Sequence, residues 1–300
     1  MKVLITGATG LIGQEIVRQC QLQNIHVNYL TTNKLKLEQK ENYIGFYWNP
    51  YNQEIDISCF KDVDAIIHLS GASVSNRWTK SYKQEIIKSR VEVTQFLFDS
   101  LKNGNHKIRQ LISASAIGIY PDSLTKYYNE SETEFDNSFL SNVVQQWEKV
   151  VENFNDLDIH VVKVRIGLVL SKNGGALPAM IKPVKLGIGF ILGSGNQWQS
   201  WIHITDLANL ILYALQNKLI GVYNAVAPNP VTNKEFTKTM ASVSHKPLWL
   251  PSLPKNIMKL VLGEMYILLF LSQRVSSKKI ENSGFHFKHY YLKTALADLV

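Results

Sequence analysis

The chain has 300 residues, of which 45% are hydrophobic, and a formal net charge of +8 at pH 7, enough for one large α/β domain or a domain and a half. Lysines and arginines are scattered along it, so we predict no nucleic-acid-binding surface. Cys20 and Cys59 are too few for a disulfide framework or a metal cluster, which predicts no metal site and a reduced, cytoplasmic setting.

The first predicted elements are an apolar strand over residues 3–6, a turn with glycines at positions 7, 10 and 13, and a helix over 11–21. A sharp turn from a buried strand into a helix leaves backbone N–H groups at the positive end of the helix, where a pyrophosphate binds. We therefore predict a dinucleotide cofactor at this turn. Its expected contacts are Gly7, Thr9, Gly10, Leu11 and Ile12.

The second predicted strand, residues 26–30, ends in Thr31, Thr32, Asn33 and Lys34. A carboxylate at this point would bind the 2′-hydroxyl of NAD, but no acid occurs between Glu15 and Glu38. Hydroxyls, an amide and a cation accept a 2′-phosphate, so the sequence favours NADP(H) over NAD(H). The alternative is that Lys34 is a solvated loop cation and that the site does not distinguish NADP(H) from NAD(H).

Strands and helices continue to alternate, with strands predicted over 63–72, 110–115 and 160–164 and helices over 84–101 and 139–154. Helical connections of this length imply parallel pairing, so we predict a doubly wound, Rossmann-type α/β sheet. Ligands bind outside the carboxyl ends of such strands. Those ends add Leu69, Ser70 and Gly71 to the cofactor contacts, and also carry residues 113–115 and 165–167.

We predict that the rest of the chain forms a smaller, substrate-binding domain. We expect residues 1–170, completed by about 201–228, to form the NADP-binding domain, and residues 171–200 and 229–300 the substrate domain. The glycine-rich segment 174–195 is typical of a lid. The apolar run 257–271 is too short and too charged for a membrane span and predicts a buried or partner-facing helix. Four side chains are candidates for an apolar or ring-stacking pocket, with ordinary packing as the alternative: Trp78, Met180, Trp198 and Trp201.

Several motifs resemble the extended short-chain dehydrogenase/reductase superfamily. They are the glycine pattern of residues 6–13, the loop 68–72, the serine-bearing segment ending at Tyr120, and residues 202–206 before a helix. More narrowly, the chain is similar to epimerase family proteins with a DUF1731-type carboxyl-terminal domain, a group with a human member in short-chain dehydrogenase family 39U. The narrower motifs lie at residues 77–79, 115–120, 147–148, 165–170, 193–195, 201–203, 224–228 and 284–285.

This resemblance implies an NADP(H)-binding Rossmann domain of the NAD-dependent epimerase/dehydratase type with an undefined small-molecule substrate. It places Glu85 and Arg90 near the nicotinamide ribose or the phosphates, with a surface ion pair as the alternative. We also count Val169 among the cofactor contacts. A homodimer is compatible with the sequence.

The chain departs from the superfamily at its catalytic pair, a tyrosine whose pKa is lowered by a lysine four residues later. None of the 13 tyrosines has a lysine at that spacing. On the helix that should carry the pair, alignment on Glu148 puts Leu140 and Val144 in its places. Ser115 precedes Tyr120 by five residues, whereas many epimerases place the catalytic serine four before, where this chain has Ala116.

The remaining catalytic candidates are Ser115, Tyr120 and Glu148. Each has a structural alternative: Ser115 bonding its own backbone, Tyr120 with a pKa too high for a good base, and Glu148 satisfying a loop. His68 and His203 are expected to be core or loop-anchoring residues. Two functions remain open: an NADP(H)-dependent oxidoreductase or epimerase-like enzyme, or a catalytically weak or inactive NADP(H)-binding sensor or scaffold protein.

Overall fold

The computed structural model describes residues 1–102, 104 and 106–300. The strands are β1 (Lys2–Thr6), β2 (His26–Thr31), β3 (Gln39–Lys40), β4 (Tyr43–Asn49), β5 (Glu54–Ile55), β6 (Ala65–His68), β7 (Gln110–Ala116), β8 (Tyr127–Tyr128), β9 (His160–Ile166), β10 (Leu168–Leu170), β11 (Trp198–Gln199), β12 (Trp201–His203), β13 (Gly221–Ala225), β14 (Val231–Thr232) and β15 (Arg274–Val275). The helices are α1 (Leu11–Leu22), α2 (Lys80–Lys102), α3 (Phe139–Glu152), α4 (Ala176–Lys185), α5 (Ile204–Gln216), α6 (Asn233–Val243), α7 (Lys255–Leu262), α8 (Ile267–Phe270), α9 (Lys278–Asn282) and α10 (Leu292–Leu299).

The main sheet has the strand order β13-β9-β7-β6-β1-β2-β4-β3, and β5 pairs with β4. All neighbours from β13 to β4 are parallel, while β3 and β5 run antiparallel to β4. The chain starts in the middle of the sheet and builds outward in both directions. This confirms the predicted doubly wound, Rossmann-type α/β fold.

Successive residues of the inner strands point to opposite faces and are buried on both. In β1, Ile5 belongs to the apolar cluster that includes Ile16 of α1 and Leu207 of α5. Its neighbour Leu4 belongs to the opposite cluster, with Leu97 of α2 and Trp147 of α3. Two helical layers therefore cover the sheet and leave the strand ends as the accessible edge.

A further apolar cluster lies in the carboxyl-terminal half and includes Leu177 of α4, Trp201, Phe236 of α6 and Leu296 of α10. We propose that it is the core of the smaller unit expected for residues 171–200 and 229–300. The glycine-rich segment thus contains a packed helix, α4, between its turns. Within the described residues, none of the helices has the length and apolar character needed to cross a membrane.

The apolar run 257–271, predicted as a buried or partner-facing helix, forms three short helical segments and is not buried, so the buried alternative is wrong. Helix α7 ends at Gly263, which adopts the left-handed region with φ of 58°, and a 3₁₀ turn and the short α8 follow. No residue of these three elements is buried. Glycine allows the left-handed conformation that breaks the helix.

Candidate functional site

The glycine turn links β1 to α1 at the carboxyl edge of the sheet. Gly7 has a φ of 73°, and its carbonyl accepts a bond from the Gly10 N–H at 3.0 Å. Gly10 caps α1 without any side-chain bond, and the first turn of α1 contains no acid. A Cβ at Gly13 would collide with the backbone of Gly7 and Ala8. The turn therefore presents the free amino end of a helix, as a pyrophosphate site requires.

A buried polar latch joins this turn to the loop after β6. The Thr6 hydroxyl accepts bonds from the backbone N–H groups of Leu69 (3.1 Å) and Ser70 (3.2 Å) and lies 2.8 Å from His68 Nδ1. His68 Nε2 lies 2.9 Å from the Thr94 hydroxyl. Burial lowers the pKa of His68 to about 4, so the ring is neutral. His68 is thus the loop-anchoring residue that was expected.

At the end of β2, side chains accept hydrogen bonds from nearby backbone N–H groups. Thr31 Oγ1 accepts the Asn33 N–H at 3.2 Å, and Asn33 Oδ1 accepts the Leu35 N–H at 2.9 Å. The Lys34 ammonium lies 4.6 Å from the centre of the Tyr47 ring. Asn33 therefore holds a 3₁₀ turn, Lys34–Lys36, that follows the strand.

Arg90 lies against the loop after β6, whereas Glu85 points to another partner. The Arg90 guanidinium donates to the carbonyls of Ala72 (3.1 Å) and Ile86 (3.0 Å), and a Cβ at Gly71 would stand 3.1 Å from it. Among the described residues, two of its five N–H donors are used in this way. Glu85 accepts a 2.6 Å bond from the Tyr51 hydroxyl. The alternative of a surface pair between Glu85 and Arg90 is therefore not observed.

The three catalytic candidates belong to one hydrogen-bonded network with a residue that was not among them, Arg165 at the end of β9. Arg165 contacts both oxygens of Glu148, through Nε and Nη2, at 2.9 Å each. Ser115 donates to Glu148 Oε1 at 2.5 Å, and Arg165 Nη1 donates to the Tyr120 hydroxyl at 3.0 Å. All four side chains are buried. The sequence marks Arg165 as part of a strand end and of a family motif, but not as a candidate site residue.

The network continues into the carboxyl-terminal part of the chain. The Tyr120 hydroxyl donates to Asn224 Oδ1 at 2.8 Å, and the Asn224 side chain donates to the Ser276 carbonyl at 3.1 Å. Gln273 donates to the Tyr120 carbonyl. Hydrogen bonds therefore run from the sheet edge to the segment that carries β15.

Burial and charge set the protonation of this cluster. Burial acts to raise the pKa of Glu148, but the bonds and charge of Arg165, assisted by Ser115 and Lys163, outweigh it and hold that pKa below its usual range. Burial raises the pKa of Tyr120, and the opposing effect of Arg165 is smaller. Glu148 is thus a carboxylate and Tyr120 a neutral phenol. Both hydroxyl candidates already have acceptors, and none of the three faces solvent.

Apolar side chains pack beside the network of Ser115, Tyr120, Glu148 and Arg165. A Cβ at Gly118, just after β7, would lie 3.5 Å from Leu140, and Leu140 packs with Phe139 against buried Trp78. Val144 is buried in the cluster around Tyr120 and Tyr128. The positions aligned with the tyrosine and lysine are therefore packing positions in this structure.

The four residues considered for an apolar or ring-stacking pocket do not belong to a single cluster of side chains. Trp201 and Met180 pack in the carboxyl-terminal core, and Trp78 packs against Phe139 with ring centres 5.1 Å apart. Trp198 instead stacks on the Arg274 guanidinium at 4.4 Å. Packing, the alternative reading, accounts for three of them.

One group of side chains has the spacing of metal ligands: His203, His289 and Asp298, with ligand atoms within 4.8 Å of one another. His203 Nδ1, however, accepts the Thr205 N–H at 3.1 Å, and burial together with His289 lowers the His203 pKa to about 4. A neutral ring that accepts at Nδ1 carries its proton on Nε2, which lies 3.2 Å from Asp298. That tautomer offers a metal no lone pair.

The fold and the glycine turn define a Rossmann-type protein with a dinucleotide-type site. The chain belongs to the NAD dependent epimerase/dehydratase family, whose model matches residues 3–225. A second model, a domain of unknown function (DUF1731), matches residues 253–299. These matches confirm the resemblance seen in the motifs.

Relatives cover almost the whole chain. An epimerase family protein of Staphylococcus saprophyticus is 41% identical over 301 residues, which is 99% of this chain and 98% of that protein. The solved structure of human epimerase family protein SDR39U1 (isoform 2), with NADPH, has a TM-score of 0.86 and 29% identity and covers 100% of this chain and 99% of its own. A nucleoside-diphosphate sugar epimerase of Corynebacterium glutamicum has a TM-score of 0.79 and 29% identity, covering 99% of this chain and 57% of its own.

Proposed function

We propose that this chain binds NADP(H) and acts as an epimerase-like or oxidoreductase-like protein on a small molecule, without a Tyr-x-x-x-Lys pair. The observation that carries the proposal is the free amino end of α1 at Gly10, held beside the loop after β6 by the Thr6 latch. A neighbour of 29% identity that was solved with NADPH supports the same assignment.

The residues fit the cofactor because Gly13 has no Cβ, which allows α1 to pack close to β1. This packing leaves space for the pyrophosphate above Gly10. The proposed pyrophosphate contacts are Gly7, Thr9, Gly10, Leu11 and Ile12. The 2′-phosphate would lie at Thr31, Thr32 and Asn33, and the rest of the cofactor against Leu69, Ser70, Gly71, Glu85, Arg90 and Val169. When bound, NADP(H) would supply a hydride donor or acceptor.

The chain must also move a proton if it is an enzyme. Ser115 is tied to Glu148, and Tyr120 is tied to Arg165 and Asn224. We therefore propose that Glu148 and Arg165 position the strand ends. The group that transfers the proton is then either water, or Ser115 or Tyr120 after its present hydrogen bonds have been exchanged for a bond to the substrate. Positioned proton transfer is typically worth about two to four orders of magnitude in rate.

The second candidate is an NADP(H)-binding sensor or scaffold protein with little or no catalysis. The hydrogen bonds of buried Ser115 and Tyr120 favour this second function. A hydroxyl whose proton is already donated to a protein acceptor is a poor proton donor to a substrate. In that case ligand binding would stabilise the fold without turnover.

Single-turnover oxidation of bound NADPH separates the two functions. The panel contains small aldehydes, quinones and sugar nucleotides, and the variants are Ser115→Ala, Tyr120→Phe and Glu148→Gln. We expect any turnover to be slow or to fall with Ser115→Ala or Tyr120→Phe. Fast turnover that ignores all three changes would contradict the site assignment. Tight NADPH binding without turnover would establish the sensor or scaffold function.

A further inference from the structure

Residues 254–271, here called the strap, are anchored by backbone bonds at both ends and make further contacts in between through Glu264, Met265, Leu268 and Leu269. Before the strap, Leu253 forms a bridge with Leu192, and its backbone bonds Ile191 (2.8 Å) and Gly193 (2.9 Å). After it, the Ser272 N–H donates to Asp122 at 2.8 Å. Between these anchors no residue of its three helical segments is buried.

The inner side of the strap rests on an apolar floor. Met265 and Leu268 pack on the cluster around buried Trp78, which also contains Phe139 and Leu140. Phe139 and the segment around Trp78 lie at the amino ends of α3 and α2, the helices that follow β7 and β6, and therefore at the edge where Rossmann folds bind ligands. Leu140 also touches the turn at Gly118, which links the floor to the buried cluster.

Lys83, a cation that lies against the floor, is already paired. Lys83 lies 5.1 Å from the centre of the Phe139 ring and forms an ion pair with Glu264 of the strap. An anionic ligand would have to break this pair to use Lys83, and it would bring its own charge against Trp78 and Leu140. A buried charge without a partner is costly, whereas an uncharged apolar group is not.

We propose that the floor and the strap form the substrate site, and that its ligand is a small uncharged molecule with an aromatic ring or an alkyl chain. The ligand occupies the space now taken by Met265 and Leu268, and the strap rises between its two anchors to admit it. The proposal rests on the proposed function, because it places this ligand beside the NADP(H) site. The pairing of Lys83 with Glu264 argues against a sugar nucleotide, because its diphosphate would have to compete with Glu264 for that cation.

Calorimetric titration of the full chain with three probes tests the ligand class. The probes are 2-acetylnaphthalene, which is neutral, 2-naphthoate, which has the same ring with a carboxylate, and UDP-glucose. With NADP⁺ present neither naphthalene probe can react by hydride transfer, so the titration measures their binding alone. We expect 2-acetylnaphthalene to bind at least about ten-fold more tightly than 2-naphthoate, because burying the carboxylate costs free energy. Equal affinities, or tighter binding of UDP-glucose, would overturn the proposal.

Variants on the two sides of the strap test the place. Leu268→Asp and the milder Met265→Ala should weaken 2-acetylnaphthalene binding, the first by about ten-fold or more. The matched control is Leu260→Asp, on the same strap but 85% exposed, which should leave binding unchanged. Leu268→Asp should also speed trypsin cleavage after Lys255 and Lys259 relative to Leu260→Asp. Equal behaviour of the two aspartate variants would overturn the site.

The titration is repeated without cofactor, and NADPH binding is measured separately. If NADPH does not bind but 2-acetylnaphthalene still does, the proposed function fails and the apolar site stands. If NADPH binds and 2-acetylnaphthalene does not, with or without cofactor, the proposed function stands and this inference fails.

Discussion

The carboxylate of Glu148 on α3 and the guanidinium of Arg165 at the end of β9 meet in the interior through two contacts of 2.9 Å. This bidentate geometry is the strongest arrangement for such a pair. It also holds the helix that would normally carry the catalytic tyrosine against the strand end beside it. Because the surroundings are buried, each partner depends on the other for its charge to be tolerated.

The first prediction concerns the cost of breaking this pair. Glu148→Gln leaves Arg165 with a buried, unpaired charge and should lower the free energy of unfolding by about 3–5 kcal/mol at pH 7. The double variant with Arg165→Met should recover part of that loss, which urea unfolding would measure. The control is Glu38→Gln, whose ion-pair partner Lys40 is 69% exposed, and the loss should stay below about 1 kcal/mol. Equal losses at the two positions would contradict the role of Glu148.

The second prediction gives the pH dependence of the same pair. The pKa of Glu148 is lowered in the native state, so its contribution to stability is complete above the pKa of the unfolded chain and is lost as pH falls through the native pKa. The stability difference between the parent and Glu148→Gln should therefore be constant above about pH 5.5 and shrink towards pH 3. Denaturant unfolding at several pH values measures it. A difference that grows in acid would have the wrong sign.

The third prediction concerns His68. Its native pKa of about 4 lies below the ordinary histidine value, so stability is complete above about pH 6.5 and falls as acid protonates the unfolded chain first. The loss for this one group should approach about 3 kcal/mol by pH 4. His68→Asn should lower the slope between pH 6.5 and 4 by that amount, leaving the contribution of His203, whose pKa is also about 4, whereas the exposed control His26→Gln should keep the full slope. An unchanged slope in His68→Asn would refute the assignment.

The fourth prediction tests the glycine turn. A Cβ at Gly10 would stand 3.3 Å from the Gly7 carbonyl oxygen, which is a close contact but not a collision. Gly10→Val should therefore leave the chain largely folded, while the valine side chain fills the pyrophosphate space. Calorimetric titration with NADPH should show no binding, and Gly10→Ala an intermediate loss. Gly13→Ala is the contrast: it should lower Tm itself, because its Cβ meets backbone. Unchanged NADPH affinity in folded Gly10→Val would remove the cofactor assignment.

The fifth prediction concerns cofactor choice. NADPH should bind several-fold more tightly than NADH, and Asn33→Asp should narrow or reverse the preference by placing a negative charge beside the 2′-phosphate. The substitution is clean, because an aspartate oxygen still accepts the Leu35 N–H that Asn33 now accepts. Asn24→Asp, exposed just beyond the other end of α1, is the charge-matched control. Equal affinities for the two cofactors in the parent protein would contradict the prediction.

The sequence by itself determined the local features. Glycine spacing, apolar runs and helical periodicity act over a few residues, so the turn at Gly7 and Gly10, the parallel sheet and the main helices could all be predicted from it. Strand β4 was not predicted. Its sequence, Tyr43–Asn49, mixes aromatic and polar residues, and its place beside β2 depends on pairing with a strand already in position.

Only the tertiary structure decided which side chains meet. Ser115, Tyr120 and Glu148 lie on different elements. Arg165 comes from a fourth; it bonds Glu148 and Tyr120 directly and is linked to Ser115 through Glu148, so no spacing along the chain could reveal that they share one buried network. The same holds for Leu268 of the strap, which packs against the cluster that contains Trp78, nearly 200 residues away in the chain. Such contacts depend on how the sheet and helices pack, and burial then fixes their charge and protonation.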